Sequence, residues 1–446
     1  MSASRPFPSR RVRLFLLGYA LLWAAALPLV LAYLWRRGRR DGLYWQHLGE
    51  RFGLYARPLP GSVWVHAVSL GELRSAVPLI RTLLDRGETV VTTHFTPAGR
   101  REALAVFASD IAAGRLCPVW VPLEYDWVYR RFFRAFRPLC GLVMEIEIWP
   151  RMIASAHRHG VPLFMCNAQY PLKSLERDQA RAPIRAELMT GFAGAFVKSD
   201  LQAARFAAAG VQNIDVTGEL RFDQPIPDRQ LQAGRHARVW LKAAARPVVA
   251  LASVVAGEDA LFIAAIGASR AAHAAAGLEP PLFLCIPRAP ERFDEVAGLL
   301  AQAGLATLRR SDRFDAAFAP VGTPPLAVDV LLGDSLGEMH AYLAMSDRVV
   351  VGGGFTPKGS HNISEALSLG KPVMTGPDIH TIEYPAIEAL QAGVLTRLED
   401  EAALHAALAP DHPADPPPAR IAAFLAQHSG AVAKTLAALD RQLTSR

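Results

Sequence analysis

A glycine-rich turn followed by polar side chains offers the clearest chemistry in the sequence. The run Arg348–Val351 predicts a buried strand that ends at Gly352-Gly353-Gly354. The segment Asn362–Leu369 then predicts a helix, for which Ser360 is a candidate cap. Such a turn leaves backbone N–H groups at the positive end of a helix dipole, which favours a phosphate. Glu365 would repel a phosphate unless it bonds something else, and a ribose diol is a suitable partner.

Carboxylates follow two other predicted strands. Glu72 lies just past the strand Val63–Val68 and at the start of a helix, whose dipole favours the ionised form that a general base requires. The alternative is an ordinary acidic residue of a first helical turn. Glu145 and Glu147 alternate with apolar residues at the end of a strand, which predicts that both point to one face. We expect these two to bind substrate hydroxyls or an arginine. A bridging metal is less favoured, because no Asp-x-Asp or histidine ligand accompanies them.

Three weaker signals lie in the second half of the chain and in the first strand. Arg288 follows the predicted strand Leu282–Ile286 and is suited to bidentate binding of phosphate or carboxylate, although a solvated ion pair is the commoner role. Gly333–Met339 is a second glycine-containing turn between a strand and a helix, whose amides could bind a base or a phosphate. His66 and His361 could act as acid–base groups or as buried, hydrogen-bonded side chains.

A repeating β–α order positions these groups, and it predicts parallel sheets flanked by helices. The predicted strands are Val63–Val68, Thr89–Thr93, Cys140–Met144, Pro162–Cys166, Gly194–Val197, Asn213–Thr217, Pro247–Ala252, Pro281–Ile286, Asp329–Leu332, Arg348–Val351 and Pro372–Thr375. We expect an α/β protein with two doubly wound, Rossmann-like domains that face a cleft, with ligands at the carboxyl ends of the strands.

Composition shifts set the expected boundaries along the chain. We predict a membrane anchor with basic flanks at residues 1–40, an N-terminal α/β domain at 41–225, a linker at 226–246, a C-terminal α/β domain at 247–410, and a Pro-rich segment with a last helix at 411–446. That last helix is expected over Arg420–Leu443.

The N-terminal anchor is predicted from Leu14–Trp35, which contains 22 residues and no charge. As a helix it would rise about 33 Å, close to the hydrocarbon thickness of a bilayer. A cleaved signal peptide is disfavoured by the length of the run and by the arginines that follow it. The anchor could span the bilayer or lie in one leaflet. Arginines flank both ends, so the positive-inside rule does not fix its orientation.

Charge and cysteine content narrow the class of partner. The 446 residues carry a net charge of +7, which alone would suit nucleic acid, anionic lipid or a phosphorylated substrate. No nucleic-acid-binding module or aromatic–basic stripe is present, and the densest arginine cluster flanks the apolar segment, so lipid is favoured. The four cysteines are scattered without CxxC spacing, which argues against a metal knuckle and is typical of a reducing compartment.

The collinear order of these motifs resembles the 3-deoxy-D-manno-octulosonic acid (Kdo) transferase family, from about residue 14 to about residue 395. The motifs that carry the resemblance are GERFG at 49–53, HAVSLGE at 66–72, TTHFTPAGR at 92–100, MEIEIWP at 144–150, Asn167-Ala168, GELRFD at 218–223, PRAPERF at 287–293, GDSLGE at 333–338, GSHN at 359–362 with Glu365, and Gly376-Pro377.

The resemblance implies a GT-B fold and an inverting transfer from CMP-Kdo to a lipid A precursor, without a metal or other cofactor. It implies that the domain at 41–225 binds the acceptor and that the domain at 247–410 binds the CMP-sugar. Glu72 would be the general base, and Glu145 would lie near the reaction centre. The resemblance also implies a set of residues that bind the CMP-sugar: Arg288, Gly337, Glu338, Gly359, Ser360, His361, Asn362 and Glu365. It further implies a bacterial inner-membrane protein whose domains face the cytoplasm, where CMP-sugars are made, and no nucleic-acid partner.

Several polar residues of the family's motifs are replaced in this chain. Val254 and Val255 stand where a threonine and a histidine are usual, Gln169 and Pro171 replace an arginine and a serine, and Ala289 replaces a histidine. Two alternatives therefore remain: a divergent paralogue with a related sugar or another acceptor, and a GT-B-like protein that binds without catalysis.

Overall fold

The computed structural model describes residues 7–181 and 183–445 and divides into two compact units. Unit 1 comprises Met1–Gln224 and His428–Arg446, and unit 2 comprises Pro225–Gln427.

Unit 1 is built on a seven-stranded parallel sheet in the order β3-β2-β1-β4-β5-β6-β7. Its strands are β1 (Val63–His66), β2 (Val90–His94), β3 (Leu116–Trp120), β4 (Cys140–Met144), β5 (Leu163–Ala168), β6 (Gly194–Val197) and β7 (Ile214–Val216). The direction in which strands are added reverses between β1 and β4. In a sheet of this kind that point opens a crevice at the carboxyl ends of the strands.

Helices cover both faces of this sheet, so its central strands are buried and nearly all apolar. They are α1 (Arg10–Gly38), α2 (Leu70–Asp85), α3 (Pro97–Val106), α4 (Ala108–Ala112), α5 (Asp126–Phe136), α6 (Pro150–Arg158), α7 (Leu172–Arg181), α8 (Pro183–Met189) and α9 (Asp200–Ala208). Successive strand residues alternate between two cores: Trp64 and Val143 belong to one, and Val65 and Leu142 to the other.

Unit 2 repeats the plan with the parallel order β10-β11-β9-β8-β12-β13-β14, whose reversal point lies between β8 and β12. The strands are β8 (Val248–Val254), β9 (Leu282–Pro287), β10 (Thr307–Arg309), β11 (Val330–Leu332), β12 (Arg348–Val351), β13 (Val373–Thr375) and β14 (Leu395–Arg397). Two doubly wound α/β units, together with the apolar N-terminal helix, confirm the predicted fold class.

The helices of unit 2 lie between these strands and beyond them. They are α10 (Asp228–Trp240), α11 (Asp259–Ala275), α12 (Phe293–Gln302), α13 (Arg310–Arg313), α14 (Met339–Met345), α15 (Ser364–Ser368), α16 (Glu383–Gln391), α17 (Glu401–Ala407) and α18 (Pro418–His428). A last helix, α19 (Ala431–Thr444), belongs to unit 1.

Two predicted boundaries differ from the structure. The expected linker at 226–246 belongs to unit 2, because its helix α10 packs so closely on α14 that a Cβ at Gly234 would lie 2.2 Å from the carbonyl oxygen of Ala341. The expected single helix Arg420–Leu443 is broken at Gly430, whose φ of 73° is left-handed. The chain therefore returns to unit 1, where Leu436 and Leu439 join the core. Neither packing contact has a signature in the local composition.

The N-terminal helix α1 is docked on unit 1 along one face. Val12, Leu16 and Leu34 are buried, whereas the opposite face exposes Leu14, Leu17, Leu21, Leu22 and Leu29. Two polar contacts fix the helix: Arg151 Nη2 donates to the carbonyl of Leu16 (2.7 Å), and the Tyr125 hydroxyl donates to the carbonyl of Trp23 (2.7 Å). Within the described residues, α1 is the one helix long and apolar enough to cross a membrane.

Candidate active site

Glu72 sits in the first turn of α2, at the reversal point of the unit 1 sheet. Ser69 is the N-cap and its hydroxyl accepts from the Glu72 amide (3.3 Å). In return, Glu72 Oε1 accepts from the Ser69 hydroxyl (3.0 Å) and Oε2 from the amide of Val68 (2.7 Å). This reciprocal arrangement is a variant of the capping box: the carboxylate accepts from the amide before the N-cap and from the N-cap hydroxyl, and so also stabilises the helix start. The ordinary helix-start role is therefore present, and it holds the carboxylate in one orientation.

The electrostatic surroundings of Glu72 favour proton uptake near neutral pH. Burial raises the pKa of Glu72 to about 7, and repulsion from Glu147 and Glu145 adds to the effect, while the bonds from Val68 and Ser69 oppose it. We expected the helix dipole to keep this carboxylate ionised, and the structure shows the opposite shift. The side chain is only 8% exposed, so loss of hydration outweighs a dipole effect that is modest at a helix start. A pKa near the working pH suits a general base.

Glu145 and Glu147 lie near Glu72 but are not on a strand, contrary to the prediction. Strand β4 ends at Met144, and Glu145 adopts a left-handed φ of 57°. The backbone therefore turns, and strand alternation does not apply. Glu147 accepts from Trp149 Nε1 (2.6 Å), and burial raises its pKa. The segment gathers carboxylates around Glu72, and this crowding contributes to the raised pKa of Glu72.

The segment that follows β2 holds the Glu72 loop in place. The amides of Phe95 and Thr96 both donate to the carbonyl of Val68 (3.1 Å each). His94 Nδ1 lies 3.0 Å from the carbonyl of Ala67. A Cβ at Gly99 would lie 3.2 Å from the Ser69 backbone, so this motif position packs directly against the capping box. The TTHFTPAGR motif thus fixes the position of the loop that carries Glu72.

His66 is a buried structural group rather than an acid–base group. It is fully buried, its Nδ1 lies 2.8 Å from the Thr93 hydroxyl, and burial followed by repulsion from His94 lowers its pKa to about 3. The imidazole is therefore neutral at physiological pH. Its ring packs edge-on against Trp149 at 5.8 Å between centroids.

A buried ion pair in the loops after β6 and β7 was not singled out from the sequence as a site. Lys198 Nζ lies 2.9 Å from Glu219 Oε2, both side chains being 3% exposed. Asn167 donates to Glu219 Oε1 (2.9 Å), and Arg221 donates to Ser75 on α2 (2.9 Å). Burial alone would raise the pKa of Glu219, but Lys198 and Arg221 hold it below its ordinary value. The signal available in the sequence was a lysine directly after β6 and a glutamate three residues after β7.

In unit 2, Glu258 organises the glycine turn after β12. Its carboxylate accepts from the amides of Gly353 (2.7 Å), Val255 (3.2 Å) and Phe355 (3.2 Å). A Cβ at Gly353 would lie 2.4 Å from the carbonyl oxygen of Gly359, and its φ is 93°, so glycine is required there. The glycine amides expected to seat a phosphate are thus partly occupied by the protein's own carboxylate.

The open amides lie a few residues further on, at the start of α15. Asn362 caps the helix through Oδ1, which accepts from the Ser364 amide (2.9 Å). Across residues 7–181 and 183–445, the amides of Asn362 and Ile363 find no hydrogen-bond partner. Ser360 is not the helix cap that the sequence suggested: it is buried, and its hydroxyl bonds Thr375. The phosphate site at the start of this helix is smaller than predicted, because α15 is only five residues long.

Two cations stand beside this turn. Burial, then Arg288 and Lys358, lower the pKa of His361, which places both charges near its ring. Arg288 follows β9 and is exposed, and its guanidinium bonds to no side chain or carbonyl in the described part of the chain. Glu365 is half-buried, next to Ser364 at the start of the same helix. A free arginine, two open amides and an adjacent carboxylate can bind a phosphate and neighbouring hydroxyls.

The turn Gly333–Met339 is held largely by contacts within unit 2. Asp334 accepts from Arg309 (2.7 Å) and from Ser311 (2.6 Å), and Glu338 pairs with Arg310. Gly337 has a left-handed φ of 78°, and its carbonyl accepts from Gln230 on α10. Oε2 of Glu338 is buried without a partner among the described residues. Donor binding by Gly337 and Glu338 stays a prediction.

Unit 1 therefore carries a buried carboxylate whose pKa is about 7, and unit 2 carries an exposed arginine near two amides that have no partner among the described residues, an arrangement suited to an anion. In the described ranges, no cluster of three His, Cys, Asp or Glu side chains is arranged to hold a metal ion. Metal independence stays a prediction.

Residues 46–224 match the family described as 3-deoxy-D-manno-octulosonic-acid transferase (kdotransferase). A relative of that name from Bordetella pertussis is 41% identical over 433 residues, covering 95% of this chain and 98% of the relative. Another from Haemophilus influenzae is 30% identical over 381 residues, covering 83% of each chain. Among solved structures, HepE of Anabaena in complex with UDP covers 86% of this chain with a TM-score of 0.51 at 13% identity, a likeness of fold alone.

Proposed function

The chain belongs to the 3-deoxy-D-manno-octulosonic acid transferase family and is a glycosyltransferase, and from that premise we propose that it transfers Kdo from CMP-Kdo to a lipid A precursor with inversion. The observation that carries this proposal is Glu72: a buried carboxylate in a fixed orientation, with a pKa of about 7, at the reversal point of the unit 1 sheet.

In the proposed reaction, Glu72 accepts the proton of the acceptor's 6-hydroxyl as its oxygen attacks the anomeric carbon of Kdo. The new C–O bond forms as the bond from that carbon to the CMP phosphate oxygen breaks, and the electron pair leaves with CMP. Attack from the face opposite the leaving group inverts the anomeric centre. A base with a pKa near 7 can take the proton during the reaction and release it afterwards at neutral pH.

We assign binding of the CMP-sugar donor to the anion-binding site of unit 2. Arg288 and the open amides of Asn362 and Ile363 would bind the CMP phosphate, on which negative charge builds up as the sugar leaves. Glu365 would accept from the ribose hydroxyls. Ser360 would act indirectly: its buried hydroxyl bonds Thr375 and its carbonyl accepts from Thr381, which fixes the turn.

We further propose that α1 anchors the enzyme at the cytoplasmic face of the bacterial inner membrane. The exposed leucines of α1 would enter the acyl region, and the arginines at both ends of the helix would pair with anionic headgroups. An enzyme held at the surface has direct access to a lipid acceptor and to a cytosolic nucleotide sugar.

The test uses the purified full-length protein in detergent with enzymatically generated CMP-Kdo and tetra-acylated lipid A precursor, followed by product mass. We expect a gain of one or more Kdo masses. Glu72→Gln should lower kcat by at least about 100-fold, the lower range for loss of general base catalysis. Glu102→Gln, which breaks a more exposed ion pair with Arg74, is the matched control and should retain turnover.

Two results would count against the proposal. Full turnover in Glu72→Gln would exclude Glu72 as the base. No mass gain in the wild type, with CMP still bound, would favour a divergent enzyme with another acceptor or sugar.

A further inference from the structure

An apolar cavity lies between α1 and the loops that follow β2 and β3. Its volume is about 280 Å³. Trp23, Ala26 and Val30 of α1 form one wall, and Phe95, Leu123 and Trp149 form the other. Taking a methylene group as similar in volume to the ~30 Å³ of a liquid water molecule, the cavity has room for an alkyl chain of roughly ten carbons.

Among the described residues that line this cavity, Arg51 is the one cation, and its guanidinium forms no hydrogen bond or ion pair. Arg51 is 1% exposed, and its guanidinium stacks on the Trp120 ring at 4.2 Å. Its Nε and Nη2 atoms are buried and bond to nothing in the part of the chain that the structure describes. By contrast, the neighbouring Arg100 is paired with both carboxylate oxygens of Glu50 (2.6 and 3.0 Å). A buried, unpaired guanidinium is costly, and an anionic ligand would remove that cost.

The cavity adjoins the proposed base. Phe95 in its wall donates its amide to the carbonyl of Val68, whose own amide donates to Glu72. Trp149 in the same wall donates to Glu147. A ligand with an apolar part in the cavity would therefore carry its polar part toward the loop that holds the carboxylate.

The entrance of the cavity faces the apolar surface of α1. Leu29 and Tyr33 line the cavity and are themselves 73% and 43% exposed. The exposed leucines continue along the same helix, and arginines at positions 36 and 37 lie in its last turn. An acyl chain leaving a bilayer could enter here without crossing a polar surface, which favours a lipid over a soluble apolar ligand.

We propose that this cavity binds one acyl chain of the acceptor lipid and that Arg51 pairs with an anionic group of the same molecule. The assignment rests on the proposed function, because it identifies the occupant with the acceptor. Without α1, this cavity would lack one wall. The helix is thus a part of the acceptor site as well as a membrane anchor.

The experiment compares two acceptors, the acylated precursor and the same compound after deacylation, using the full-length protein in detergent. Ala26→Phe fills the cavity from α1 and should raise KM for the acylated acceptor at least about tenfold. KM for CMP-Kdo and kcat/KM for the deacylated acceptor should not change. Ala25→Phe, on the exposed side of the same helix, is the matched control and should match the wild type on both acceptors.

A second variant tests the cation. Arg51→Met should lower the preference for a phosphorylated over a dephosphorylated acceptor from at least about tenfold to near one. It should not lower the melting temperature of the lipid-free protein, because it removes an unpaired buried charge. Arg101→Met, at an exposed pair with Asp41, controls for lost charge.

Three outcomes separate the inference from the proposed function. A wild type that transfers Kdo to neither acceptor overturns the function itself. Transfer by the wild type with no difference between Ala26→Phe and Ala25→Phe overturns the acyl-chain site alone. Loss of binding to phosphatidylglycerol vesicles in Ala26→Phe, with KM for the acceptor unchanged, assigns the cavity to bulk membrane lipid and also overturns the inference.

Discussion

Single side chains in this molecule serve structure and chemistry together. Glu72 closes a capping box and is also the proposed base, so the bonds that orient it also stabilise α2. Burial and two neighbouring carboxylates raise its pKa to about 7, while the same two bonds limit the rise. The balance between hydration loss and local donors, rather than the helix dipole, determines its protonation.

The pH dependence of transfer follows from this balance. Because the pKa of Glu72 is raised to about 7, the base is ionised above pH 7 and protonated below it. We expect kcat/KM to fall about tenfold per pH unit below this value and to level off above it. Ser69→Ala removes a hydrogen-bond donor to the Glu72 carboxylate and should shift the fall of kcat/KM to higher pH.

The control for that shift is Ser199→Ala, which removes the N-cap of α9. Loss of either cap should cost about 0.5–2 kcal/mol of unfolding free energy. Only Ser69→Ala should move the pH profile, measured from initial rates between pH 5 and 9. If the fall of kcat/KM occurs at the same pH in Ser69→Ala as in the wild type, the titrating group is not Glu72.

Arg288 offers a second test at this scale. Its guanidinium has no partner among the described residues, so it is free for a ligand. A charge-assisted hydrogen bond is worth about 1.5–3 kcal/mol, so Arg288→Gln should raise KM for CMP-Kdo roughly 10- to 100-fold. The melting temperature should stay constant. Arg235 is an exposed cation of α10 in the same unit, and Arg235→Gln should leave both quantities unchanged. If Arg235→Gln raises KM for CMP-Kdo as much as Arg288→Gln does, the effect is general electrostatic attraction and not a contact from Arg288.

At the scale of elements, the candidate functional residues lie in the loops that follow the carboxyl ends of strands. Glu72 follows β1 and Glu145 follows β4, the two strands on either side of the reversal in the unit 1 sheet. The unit 2 sheet repeats this, with Glu258 after β8 and the glycine turn after β12. Parallel strands and their crossovers place these loops at the same edge, although they are far apart along the chain.

The return of α19 to unit 1 gives a prediction for stability. Leu439 is 3% exposed in the core that also contains Leu73 and Phe196. Leu439→Ala should cost about 2–5 kcal/mol of unfolding free energy because it leaves a cavity. Asp440→Ala, which breaks an exposed pair with Arg86, should cost less than about 1 kcal/mol. Thermal unfolding measures both, and equal effects would mean that α19 is not part of the unit 1 core.

At the scale of the whole molecule, the docking of α1 determines how the protein can meet a membrane. Contacts with unit 1 run from Val12 through Trp23 to Leu34, along about 33 Å of helix. A helix fastened along this length cannot cross a bilayer unless unit 1 enters it too. We therefore expect α1 to lie in one leaflet with its leucine face in the acyl region.

Cysteine labelling tests this orientation. Ser9→Cys and Arg39→Cys mark the two ends of α1, and Arg101→Cys marks unit 1. In membrane vesicles with the cytoplasmic face outward, an impermeant maleimide should label all three. The background is the parent protein, whose Cys117 is half-buried and whose other three cysteines are buried. Protection of one helix end alone would show that α1 spans the bilayer.

The sequence by itself determined the repeating β–α order, the apolar N-terminal helix and the motif positions at strand ends, because hydrophobic periodicity and turn residues act locally. It missed the strands β3, β10 and β14, of which the last two are three-residue segments near the sheet edges. It identified the Kdo transferase family correctly. The role of Glu72 as the base stays a prediction, and the direction of the Glu72 pKa shift was misjudged.

Only the tertiary structure decided what depends on contacts between distant segments. The burial of Glu72 beside Glu147, the occupation of the glycine amides by Glu258, and the return of α19 to unit 1 all join residues with no local signal. The cavity beside Arg51 likewise exists only because α1 folds back over the strand ends. Desolvation and packing are properties of the assembled fold, so no sequence window could have shown them.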